Sequence, residues 1–113
     1  MTRPGNLFSG IPADIPEEIF ETIAESGQVR IERIISRGQT TPRDFWYDQD
    51  LNELVVLLEG SAGILFEREP EPIDLLPGDY LIIPAHRRHR VTRTDGDGPT
   101  VWLAVHYPPN RKS

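Results

Sequence analysis

From residue 29 onward the apolar residues come in short runs, each closed by Gly, Pro or Asp. Val29 and Ile31 alternate with Arg30 and Glu32 at the start of the run 29–35. The segment 44–47 is aromatic, and 53–58 is strongly apolar and ends at Glu59-Gly60. A further run, 62–66, follows at once, which is a hairpin signal. Runs at 73–75, 80–83, 89–94 and 100–107 complete the series, separated by Leu76-Pro77-Gly78-Asp79, by Pro84 and by Asp95-Gly96-Asp97-Gly98-Pro99. Short runs with turn signals every 8–12 residues or so predict about eight strands in an all-β sandwich, jelly roll or barrel.

The pattern before residue 28 reads differently. Ile15, Ile19, Phe20 and Ile23 share one face at helical spacing. Asp14 can cap that helix, Pro16 suits its first turn, and Glu17 stands in capping-box spacing to Asp14. Gly27 would end it. The chain is thus read as one domain over 1–113: a short helix at about 14–26, an antiparallel β-barrel at about 29–107 and a disordered polar tail at 108–113.

Composition narrows the chemistry. Twelve basic against eighteen acidic side chains give a net charge of −6, which argues against nucleic-acid binding. With no Cys, disulfides, thiolate metal sites and thiol nucleophiles are excluded. No apolar run is long enough to span a membrane and none resembles a signal peptide, so a cytoplasmic protein is expected. The eleven Pro and nine Gly fall mostly at the turns between strands. A core this small makes a homodimer useful.

Two segments carry a resemblance. Glu53 is followed by six residues and Gly60. Gly78 is followed by five residues and Pro84, then by Ala85-His86-Arg87-Arg88-His89. These resemble the two motifs of the cupin superfamily, whose members are antiparallel jelly-roll, or double-stranded β-helix, barrels. The chain resembles small single-domain cupins in particular. The first motif normally carries a His-x-His pair before the Glu, and here it is absent. Counting back from Glu53, a four-residue gap puts Trp46 and Asp48 at those positions, and a three-residue gap puts Tyr47 and Gln49 there. In the second motif His86 replaces a Gly and Arg93 replaces an Asn, while His89 and Glu53 hold their places.

The resemblance implies a barrel pocket holding a divalent metal and a small molecule. Glu53 and His89 match two of the four usual ligands, and Asp48 and His86 are candidates for the others, with Gln49 and His106 behind them. Imidazole and carboxylate suit manganese, iron, nickel or zinc. Arg93 and Tyr47 are the expected substrate contacts, with the Arg93 guanidinium holding an acidic ligand if it shares the inward face of His89. A metal-dependent dioxygenase, isomerase or lyase is the implied enzyme. A metal-free binding or sensor barrel is the alternative, favoured by the loss of the His pair.

Overall fold

The structure, a computed structural model, describes residues 3–110, so part of the expected tail lies outside the described residues. Eight antiparallel strands form two layers. In chain order they are β1 (Ile19–Ser26), β2 (Val29–Ser36), β3 (Asn52–Glu59), β4 (Ala62–Phe66), β5 (Ile73–Leu75), β6 (Tyr80–Ile83), β7 (His89–Thr94) and β8 (Thr100–Tyr107). One layer runs β1-β2-β8-β3-β6 and the other β5-β4-β7. The all-β double-sheet barrel expected from the turn spacing is therefore present.

The N-terminal helix is not. Its second half is β1, paired with β2 from Ile19 opposite Ile35 to Ser26 opposite Val29. A helix this short is marginal without packing, whereas the strand gains a ladder of hydrogen bonds to β2 on both sides of one irregularity. It also gains an ion pair between Arg33 and Glu21 at 2.5 Å. Gly27, read as a helix stop, instead occupies the hairpin turn with a φ of 56°, a conformation Gly adopts without strain. Ile23, one of the four residues of the supposed helical face, falls at a register shift between Thr22 and Ala24. The aromatic segment 44–47 is likewise no ladder strand. Only Tyr47 bridges to β7, through Tyr47 N–H to His89 O at 2.8 Å and His89 N–H to Tyr47 O at 3.2 Å.

Between the layers lies an apolar core of Val55, Leu57, Ala62, Ile64, Leu75, Ile83, Trp102 and Ala104, with Ile34, Phe66, Leu81 and Val91 packed against it. The period of two along β3 and β8 puts Glu53 on the same face as Val55 and Leu57, and His106 on the same face as Trp102 and Ala104. The inward rows thus begin apolar and turn polar at one end.

The β3–β4 turn depends on Gly60, whose φ is 88°. A Cβ there would stand 2.5 Å from Thr100 Oγ1 and 2.8 Å from its Cα, so no other residue fits the approach of β3 to β8.

Candidate functional site

The polar end of the barrel is built by register. Glu53 on β3 lies opposite His106 on β8, and His106 lies opposite Arg30 on β2. Glu32, two residues on from Arg30, shares its face. His89 enters from the facing layer at the start of β7. The turn before it is pinned by Ala85 N–H to Asn52 Oδ1 at 2.8 Å and by His86 N–H to Gln49 O at 2.8 Å. The His89 ring stacks against Tyr47, with centroids 5.7 Å apart, and tilts against Phe66.

These groups form a continuous set of close polar contacts. His106 Nε2 lies 3.1 Å from Glu32 Oε1 and 3.8 Å from Glu53 Oε2. His89 Nε2 lies 3.9 Å from Glu53 Oε1, which accepts the Gln49 amide at 3.0 Å. Arg30 Nε reaches Glu32 Oε2 at 3.4 Å. Glu32, Glu53, His89 and His106 are all buried, between 4% and 8% exposed. They close one end of a cavity of about 370 Å³ whose other walls are Ile34, Val55, Ile64, Ile83, Val91 and Trp102, with Glu18, Phe20 and Tyr47 also lining it. Trp102 Nε1 is buried without a hydrogen-bond partner among the described residues.

Two lining groups titrate away from their ordinary values. Burial raises the Glu18 carboxyl, partly offset by the hydrogen bond it accepts from Ser36. Burial also raises the Tyr47 phenol, with the Glu18 and Glu53 carboxylates adding to the effect and a hydrogen bond to Thr41 opposing it. Tyr47 therefore stays a neutral phenol throughout the neutral range.

The expected site residues separate into two groups. Glu53 and His89 meet in the pocket, and Tyr47 and Gln49 line it, so the three-residue gap describes this chain. Asp48 and His86 do not join them. His86 Nδ1 pairs with Asp48 Oδ1 at 2.7 Å and its Nε2 stands 3.4 Å from Asp50, on a side chain that is 63% exposed. The odd–even alternation that turns Tyr47 and Gln49 inward turns Asp48 outward, and Trp46 outward under the Arg90 guanidinium. The expected substrate contact Arg93 is also outside. A bulge between β4 and β7 pairs Gly63 with Arg93 but Ile64 with Val91. The extra residue reverses the in-out alternation after Val91. Arg93 then bonds Ser61 Oγ at 2.8 Å and reaches Asp74 at 3.5 Å on the outer surface.

Glu32, Glu18 and Arg30 are lining residues that the strand pattern concealed. The face of β2 carrying Arg30 and Glu32 reads as a solvent face, yet Ile34 lies on it too. His106 shares its face with Trp102, which marks it as inward.

The donor chemistry of two imidazoles and two carboxylates suits a divalent metal, but the arrangement does not. The carboxylates are held by Gln49, His106 and Arg30, and the two positions of the missing His pair carry a neutral phenol and an amide. Among the described residues no group of three or more His, Asp or Glu side chains is placed to hold a metal ion. Among the described residues no helix is long and apolar enough to cross a membrane.

Residues 33–106 match the family model of the cupin domain. The crystal structure of a candidate mannose-6-phosphate isomerase from Ralstonia eutropha JMP134 is similar at 50% identity and a TM-score of 0.93, over 96% of this chain and 100% of that one. A cupin superfamily protein from Desulfitobacterium hafniense DCB-2 is similar at 26% identity and a TM-score of 0.76, over 96% of this chain and 94% of the other. The polyketide cyclase RemF from Streptomyces resistomycificus shares the fold at 18% identity and a TM-score of 0.68, over 80% of this chain and 65% of that one. No curated protein matches the chain.

Proposed function

This chain belongs to the cupin domain family, and on that premise we propose that its barrel is a binding module for a small, partly apolar organic molecule. The observation that carries the reading is the cavity of about 370 Å³, apolar along its walls and polar at one end where Glu53 and His89 meet. A cavity of this size, with few polar groups converging at one point, is the usual form of a small-molecule site. The apolar walls hold the body of the ligand and the polar end orients its head.

The Ralstonia relative suggests a sugar phosphate, but the lining here speaks against one. Glu18, Glu32 and Glu53 face the cavity, and the one guanidinium that lines it among the described residues, Arg30, lies on Glu32. A phosphate dianion would meet carboxylates with no free cation to neutralise it. The acidic ligand expected from Arg93 loses its support because Arg93 lies on the outer surface, bonded to Ser61 and near Asp74. The metal-dependent dioxygenase, isomerase or lyase implied by the resemblance lacks three converging ligands among the described residues, so metal content enters as an arm of the test.

The test combines elemental analysis of the purified protein with a thermal-shift and NMR screen of small organic molecules. Ile34→Trp, which fills the cavity, serves as the control. Binding that the Trp abolishes supports the module. One metal ion per chain, lost in His89→Ala, would replace this reading with the metal-dependent enzyme.

A second copy of the chain is the partner we propose for β1. That strand is a sheet edge with unpaired backbone groups, and it exposes Phe20 and Ile23. Antiparallel pairing of two such edges is self-complementary. Sedimentation showing a monomer at micromolar concentration overturns it.

A further inference from the structure

The hydrogen-bonding sense of the polar end names the ligand more closely, resting on the binding reading above. His89 Nδ1 lies 2.8 Å from the Arg87 carbonyl oxygen. A carbonyl only accepts, so Nδ1 carries a proton, and in the tautomer this selects Nε2 presents a lone pair. That Nε2 makes no hydrogen bond among the described residues; Glu53 Oε1, itself an acceptor, lies 3.9 Å away. The side chain is only 6% exposed and lines the cavity. A buried acceptor aimed into a cavity beside a carboxylate is incomplete without a donor.

Three of the donors nearby are engaged, whereas Trp102 Nε1–H, on the apolar wall, has no hydrogen-bond partner among the described residues. The Gln49 amide donates to Glu53, His106 Nε2–H to Glu32, and the Arg30 guanidinium lies on Glu32. The head of the site therefore offers His89 Nε2 and the remaining acceptor capacity of the Glu53 carboxylate, with the Glu32 carboxylate close by. An anion there would lie against the Glu53 and Glu32 carboxylates, with the Arg30 guanidinium already on Glu32. A neutral hydroxyl supplies one proton for two acceptors. A primary ammonium supplies three and the compensating charge.

We propose that this pocket recognises a small organic cation, a primary amine with an apolar body, whose ammonium bridges His89 Nε2 and Glu53 while the body lies against Ile34, Val91 and Trp102. The organic cation then stands where a metal ion would in a barrel with converging ligands.

The experiment is calorimetry on metal-free protein with three probes of one shape, 2-phenylethylamine, 2-phenylethanol and phenylacetate, and with Mn²⁺ and Zn²⁺ alone. The amine is expected to bind about tenfold or more tightly than the alcohol, the increment of a charge-assisted hydrogen bond, and phenylacetate not at all. Glu53→Gln, which keeps shape and the Gln49 contact, should erase that preference while the alcohol still binds. If the alcohol or the acid binds as tightly as the amine, the cation assignment is overturned and the pocket reading stands. If none of the three organic probes binds, both fail. Metal binding without amine binding overturns the amine and restores the metal site. Arg93→Gln, outside the pocket, should leave all affinities unchanged.

Discussion

Two imidazole–carboxylate groups occur in this chain, made of the same residue types and placed in opposite surroundings. His89 and His106 lie with Glu53 and Glu32 inside the barrel, each of the four at 8% exposure or less. His86 lies with Asp48 and Asp50 on the surface, 63% exposed. The surface contact of His86 with Asp48 is the shorter, at 2.7 Å against 3.1 Å for His106 with Glu32. Length does not decide their worth. At the surface, water and salt screen the pair and side-chain ordering offsets it, leaving about 0–1 kcal/mol. In the barrel, removing one partner leaves the other dehydrated and unmatched. Burial turns a longer contact into the one the fold cannot lose.

The largest break in this comparison is His106→Ala. It strips Glu32 and Glu53 of a shared neighbour and should cost about 3 kcal/mol, read as a lowered urea midpoint at unchanged slope. Glu32→Gln keeps an acceptor for His106 and should cost only about 1 kcal/mol by the same measurement. Glu18, at the cavity edge, sharpens the contrast through pH. Burial raises its carboxyl above the ordinary 4.5, so the folded chain holds that proton more tightly than the unfolded one. This group's contribution to stability therefore falls as pH rises from 4.5 through the folded value. Glu18→Gln should remove that component from urea midpoints measured between about pH 4.5 and 7. The smallest effect belongs to the surface pair. His86 has a φ of 65°, which Asn tolerates, so His86→Asn isolates the ion pairs and should change stability by less than about 0.5 kcal/mol.

The two groups also show how far a linear sequence speaks for this molecule. Turn residues and alternating runs located seven of the eight strands, because Gly, Pro and period-two patterning act locally. The exception, β1, carries apolar residues that satisfy a helical face as well as a strand, and only its partner β2 decides between them. The pocket follows the same division. Glu53 and His89 stood out by motif spacing. Whether Asp48 or Gln49 faced them hung on a single residue of register, since one step along an extended chain turns every side chain over. Arg93 was displaced by a bulge, which no pattern within β7 announces. His106 needed only the alternation from Trp102 to place it, whereas Glu32 was hidden because an inward polar row looks like an outward one.

The pairing of β2 with β8 has a consequence in time. Glu32 and His106 are separated by 74 positions along the chain yet share a hydrogen bond. The polar head draws on β2, β3, β7 and β8, so it cannot exist until both ends of the barrel sequence have been made and have met. During synthesis the inward polar row of β2 must wait, uncovered, for the last strand to leave the ribosome. Pairings this distant in sequence close slowly, on the millisecond-to-second scale of nonlocal β proteins. In refolding, ligand binding should therefore appear no earlier than the slowest phase of strand assembly. A stopped-flow trace of Trp102 fluorescence in a Trp46→Phe variant, recorded with and without ligand, would time it.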